Sequence, residues 1–166
     1  MKTVNELANL GKIAIADSGQ RSRKISVGNA QRKVSINRPE LEKFAEIALR
    51  LCLQIPKKRS TDLVRLREVS IVLVSDRRMA ALHRQFMGLI GPTDVITFQH
   101  GEIFVNTEEA RRNARRFGNS LGQELRLDIV HGLLHLHGFD DKNSAAAGKM
   151  HVAQRRILRL ATGLSV

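Results

Sequence analysis

The run His131-Gly132-Leu133-Leu134-His135-Leu136-His137-Gly138-Phe139-Asp140-Asp141 narrows what this chain can become more than any other stretch. It closes a segment that starts near Leu121, in which Leu125, Ile129, Val130, Leu133 and Leu134 call for burial around most of a helix. A helix of that kind has to sit inside the fold. Within its apolar surround, His131 and His135 stand one turn apart and share a face. Gly138 can stop the helix, because glycine enters the left-handed conformation at little cost, and the chain then turns back with Asp140 and Asp141. Two imidazoles from one turn and a returned carboxylate make a three-ligand set for a tetrahedral metal, zinc by ligand chemistry, with a fourth position open. Asp141 is the expected third ligand, and Asp140 competes with it. If Asp141 binds the metal, Asp140 is free to hold the turn through its own backbone.

The spacing H-x-x-x-H-x-x-G-x-x-D resembles the metzincin pattern H-E-x-x-H-x-x-G-x-x-H. The glutamate that serves those peptidases as general base is Gly132 here, so peptide hydrolysis by that route lacks its base. Two acids precede the histidines on the same helix. Asp128 lies three residues before His131 and Glu124 seven before it, so either could accept a hydrogen bond from the far ring nitrogen of a ligand histidine. Glu124 could equally be a surface partner for an arginine. His137 is out of phase with the ligand pair and flanks the site. His83, His100 and His151 have no spacing partner, and His100 is the best placed of them, on a hairpin that could face the site.

Charge narrows the substrate. Lys and Arg number 28 against 16 Asp and Glu, a formal net charge of +12, which points to a polyanion, nucleic acid before membrane. The chain has no Trp or Tyr and six Phe, so base stacking cannot dominate and phosphate contacts would carry the binding. Arg111, Arg112, Arg115 and Arg116 share one side of a short helix, partly offset by Glu108 and Glu109. Lys57-Lys58-Arg59-Ser60-Thr61 reads as a basic loop. Metal-assisted hydrolysis of a phosphodiester is the chemistry that these features support together. The one cysteine, Cys52, excludes an internal disulfide and falls in an apolar helical stripe. No apolar run approaches a membrane span and the N-terminal stretch lacks a signal-peptide core, so a cytoplasmic protein is expected.

The remaining pattern predicts an α+β fold: a small mixed β-sheet flanked by helices, with the metal site at the end of a central helix. Residues 1–24 read as a flexible basic N-terminal extension and residues 25–166 as a single domain. Strands are expected at Ile25–Asn29, Lys33–Ile36, Val69–Val74, Asp94–Phe98 and Ile103–Val105. Helices are expected from about Asn37, with Pro39 in the first turn; after Ser75 or Asp76, packed through Met79, Leu82 and Phe86; from a Thr107 cap to Phe117, with Ala110, Ala114 and Phe117 inward; and over 121–136 and 144–162. The short link from Phe98 to Ile103 implies a hairpin, hence a mixed sheet.

With these residues in place, the stretch from His131 resembles the YbeY family signature H-G-x-L-H-L-x-G-Y-D-H, with Phe139 for Tyr and Asp141 for the last histidine. Upstream, Gly91-Pro92-Thr93-Asp94-Val95-Ile96-Thr97-Phe98 is similar to that family's K-P-T-D-V-L-S-F, and Glu102-Ile103 takes the place of its G-D-I segment. The resemblance covers roughly residues 25–158. It implies an α+β fold with one zinc ion per chain held by His131, His135 and Asp141. It also implies cleavage of single-stranded RNA in small-subunit rRNA 3′-end maturation and ribosome quality control, with rRNA and the small ribosomal subunit as partners. The family's functional arginine, in Y-R-G-K, corresponds to Met87, which cannot neutralise a phosphate. Leu89 and Gly91 replace the loop lysines, and nearby arginines such as Arg84 could substitute. A ribosome-assembly factor that binds RNA and keeps the metal for structure is therefore the alternative, and a zincin-like peptidase a third reading.

Overall fold

The computed structural model describes residues 23–163. The expected N-terminal extension lies outside the described residues except for Arg23 and Lys24. Lys24 already opens the first strand, β1 (Lys24–Asn29).

β1 pairs in parallel with β2 (Glu68–Val74), which pairs in parallel with β4 (Glu102–Asn106). The short β3 (Val95–Thr97) closes the sheet antiparallel to β4, giving the order β1-β2-β4-β3. Alternation along these strands sorts the side chains into two layers. Val69, Ile71 and Leu73 of β2 and Ile103 and Val105 of β4 join the large core. Val72, Val74, Phe104 and Ile96 face the opposite side, where Met79 and Leu82 of α3 (Asp76–Met87) meet them. The large core takes α1 (Arg38–Leu53), the one-turn α2 (Asp62–Arg65), α4 (Thr107–Phe117), α5 (Leu121–Leu136) and α6 (Ser144–Thr162).

α5 is the element the others surround. Leu125, Ile129, Val130, Leu133, Leu134 and Leu136 are all buried, as its composition demands. A capping box starts it: the Ser120 hydroxyl accepts from Gln123 N–H at 3.1 Å, and the Gln123 side chain accepts from Ser120 N–H at 2.7 Å. At its other end Gly138, at φ +78°, permits a Schellman turn in which Phe139 N–H reaches the Leu134 carbonyl at 3.0 Å.

Some expectations need correction. Lys33–Ile36 forms no strand. The Gln31 side chain takes over its hydrogen bonding, accepting from the N–H groups of Lys33 and Val34 and donating to the Val34 carbonyl, so the backbone is satisfied without a ladder. The cap of α4 is Asn106, whose side chain accepts from Glu108 and Glu109 N–H. The Thr107 hydroxyl instead donates to the Val74 carbonyl. Phe117 is 62% exposed beneath Arg116, because α4 ends there beyond the reach of the core. Phe86 is also exposed, in a T-shaped contact with Phe98.

Candidate metal centre

His131 and His135 project from the last turns of α5, and their Nε2 atoms stand 3.0 Å apart. Asp141, returned by the Gly138 turn, places a carboxylate oxygen 3.8 Å from His131 Nε2. One ligand atom from each of the three residues lies within 4.8 Å of the others. The Asp140 carboxylate accepts from Lys142 N–H at 3.3 Å, a local contact within the turn.

Hydrogen bonds behind the rings fix which nitrogen is free. His135 Nδ1–H donates to the Phe139 carbonyl at 3.1 Å, and a carbonyl can only accept, so the Nε2 lone pair is exposed to the cluster. His131 Nδ1 stands 3.3 Å from the Gln154 side-chain oxygen of α6, which imposes the same tautomer. With both rings neutral, two lone pairs face each other at 3.0 Å, an arrangement that a metal ion or a shared proton between them makes favourable. Tetrahedral ligation at about 2.05 Å would separate two nitrogens by about 3.3 Å, so the pair needs little movement to fit an ion. Burial and the neighbouring His135 both push the His131 pKa below its ordinary value, which keeps it neutral and ligand-competent.

Gln154 and the Phe139 carbonyl thus occupy the positions that the sequence reading gave to Glu124 and Asp128. Glu124 is buried and accepts from Asn119 Nδ2 at 2.6 Å. Asp128 is buried with Oδ2 unpartnered among the described residues. Desolvation raises its pKa well above the carboxylate range, with Asp94, Glu124 and Glu109 adding to the effect. Gln154 was findable from sequence: it is a polar residue among Met150 and Ile157 on the buried side of α6, the place where a hydrogen-bond obligation is expected.

Gly132 has a packing reason. A Cβ there would lie 2.5 Å from Ile103 Cγ2 and 3.3 Å from Thr97 Oγ1, so α5 approaches β4 and β3 more closely than any side chain permits. No glutamate base fits this position. His100 is not brought into the cluster; it pairs with Glu102 at 2.8 Å and stacks on Phe98. His137 is buried and serves elsewhere: its Nε2–H donates to the Ile55 carbonyl at 2.8 Å and its Nδ1 accepts from the Thr61 hydroxyl at 3.1 Å.

The candidate RNA contacts divide. Arg111, Arg115 and Arg116 are exposed on α4. Arg112 is committed, with both terminal nitrogens 2.7 Å from Asp76 and Nε 2.9 Å from Glu109. The Asp76 carboxylate is held below its usual range by that guanidinium. Arg84 borders an open groove on α3 with Ala80, Ala81 and Ile90.

Fold and site together define an α+β protein with a His-His-Asp cluster able to hold one metal ion at the C-terminal end of its central helix. The family model described as Endoribonuclease YbeY matches residues 26–162, and the chain belongs to the YbeY family. It is 40% identical over 101 residues to an Endoribonuclease YbeY of Thermotoga maritima, covering 55% of this chain and 65% of that one. It is 36% identical over 110 residues to the Endoribonuclease YbeY of Mycolicibacterium smegmatis, covering 55% and 62%. The chain thus spans less than two thirds of the length of these relatives. A solution structure from Thermotoga maritima superposes with a TM-score of 0.59 at 27% identity, over 84% of this chain and 89% of that one.

Proposed function

We propose that this chain is a zinc-dependent endoribonuclease specific for single strands, acting in the cytoplasm on small-subunit rRNA during 3′-end maturation and ribosome quality control. The observation that carries this reading is the convergence of the His131 and His135 Nε2 lone pairs on the Asp141 carboxylate. His131, His135 and Asp141 would hold the ion, one per chain. Zinc, when bound, supplies Lewis acidity and lowers the pKa of water at the open position. Gln154 and the Phe139 carbonyl keep both imidazoles in the ligating tautomer. The exposed Arg84, Arg111, Arg115 and Arg116 offer charge to the RNA backbone, whereas Arg112 is neutralised by Asp76 and Glu109.

One observation favours a second reading, an assembly factor that binds RNA with little cleavage. The end of α3 and its link to β3 carry Met87, Leu89 and Ile90, all exposed, where a nuclease site would use a cation. Metal content and single-stranded RNA cleavage, measured on one purified sample beside His131→Ala, separate the two. Stoichiometric zinc with cleavage lost in the variant supports the nuclease. Zinc with cleavage no higher than the variant's background supports the assembly factor.

A further inference from the structure

The link between α1 and α2 carries Lys57, Lys58 and Arg59, and none of the three has a carboxylate partner among the described residues. The one nearby acid on α2, Asp62, is already paired with Arg65 at 2.8 Å. Lys58 and Arg59 are exposed, and Lys57 is half-buried.

This loop is fastened to the end of the metal helix. His137, 1% exposed, uses both ring nitrogens on it, one on the Ile55 carbonyl and one on the Thr61 hydroxyl. The roles fit without conflict: the Thr61 hydroxyl donates to His137 Nδ1 while its oxygen accepts from Val64 N–H at 3.4 Å as the cap of α2. The Thr61 methyl lies 3.4 Å from where a Cβ on Gly138 would stand, so the contact continues into the helix-ending turn. Lys57 Nζ sits 3.4 Å from the centroid of the Phe139 ring, and the Phe139 carbonyl holds the ligand His135 at 3.1 Å. One side chain and one hydrogen bond therefore separate the Lys57 ammonium from a metal-ligating ring. A buried histidine with both nitrogens used is a costly way to hold a surface loop unless the loop's position relative to the metal helix matters.

We propose that the loop from Ile55 to Thr61 is a phosphate-binding arm of the RNA site. Lys57, Lys58 and Arg59 engage backbone phosphates flanking the scissile bond, and His137 is the positioning residue that sets the arm against the metal helix. The inference rests on the RNA-cleaving reading above and names the surface that grips the strand.

The test measures binding of a fluorescent single-stranded RNA to the full chain in chelator, across a salt series. Three phosphate contacts on a single strand account for about 2 in the slope of log affinity against log salt, at about 0.7 each. The variant K57Q/K58Q/R59Q is expected to lose about that much slope. His137→Leu is expected to lose slope as well and, in a parallel turnover assay with zinc supplied, to raise KM for RNA more than it lowers kcat. His137→Gln, which keeps one donor and one acceptor, is expected to recover part of both. An unchanged slope in the triple variant overturns the proposal. So does a His137→Leu variant that unfolds more easily but keeps slope and KM, since that describes a structural role alone. The triple variant changes only a surface loop, so it decides the matter even if His137→Leu does not fold. Wild-type protein that neither binds nor cleaves RNA sinks the RNA reading itself. Wild-type cleavage with an unaltered slope in the triple variant sinks only the arm.

Discussion

Replacing Gly132 with alanine tests the close approach of α5 to the sheet. An added Cβ would meet Ile103 Cγ2 at 2.5 Å and Cδ1 at 3.2 Å, and Ile103 is fully buried on β4 with nowhere to retreat. Alanine recovers about 1 kcal/mol of helix propensity relative to glycine. Overpacking a filled core costs about 1–3 kcal/mol, and a contact this short belongs at the upper end. The net expectation is a loss of about 1–2 kcal/mol, or about 2–8 °C in Tm for a chain of this size. Urea unfolding in chelator measures it without metal mass action adding to the native state. A second substitution identifies the cause. Ile103→Ala alone leaves a cavity and costs about 2–5 kcal/mol, whereas in the Gly132→Ala background the new methyl fills part of that space. The double variant should be more stable than the sum of the two losses by at least about 1 kcal/mol. Additive losses, or a Gly132→Ala protein more stable than wild type, would refute the reasoning that Ile103 is what excludes a side chain at 132.

Further outcomes follow from the site. Gln154→Leu removes the acceptor behind His131 and should weaken zinc binding about 10–100-fold, read by competition with a chromophoric chelator while far-ultraviolet circular dichroism stays unchanged. Asp128→Asn should flatten the alkaline side of the stability profile in chelator. Burial raises the folded-state pKa of Asp128 well above the ordinary carboxylate range, so its favourable contribution is complete in acid and lost as pH rises through the folded pKa. A wild-type profile equally flat from pH 4 upward would count against a buried neutral acid there. Met87→Arg restores a cation beside the exposed Leu89 and Ile90 and should raise the rate of RNA cleavage, measured under single turnover; a flat rate would mean that the chain draws its charge from elsewhere.

The sheet and the central helix were readable because period-2 strands and an almost wholly apolar helix leave few alternatives. Val69–Val74 and 121–136 came out with close to the expected bounds. The cluster was readable for a similar reason: a turn of helix, a glycine and a carboxylate are local geometry. Side-chain hydrogen bonding was not. Gln31 replaced a strand with its own amide, Asn106 displaced Thr107 as a cap, and Gln154 arrived from a helix 23 residues downstream of His131. Each choice depends on which groups the fold brings together, which periodicity does not encode. Phe86 and Phe117 failed for a simpler reason: each stands at or next to the last residue of its helix, where the helix runs past the core and the ring is left more than half exposed.

All three candidate ligands fall within the eleven residues from His131 to Asp141. An ion gripping them closes a very short loop, and the entropy removed from an unfolded chain by such a clip is small. The centre is therefore an appliance mounted on a finished frame, not a rivet through it. The strands and α1 lie outside the closed loop and owe their order to apolar burial. Removing a bound ion should leave them in place, so under the proposed function a metal-starved chain would be idle but intact and ready to be recharged.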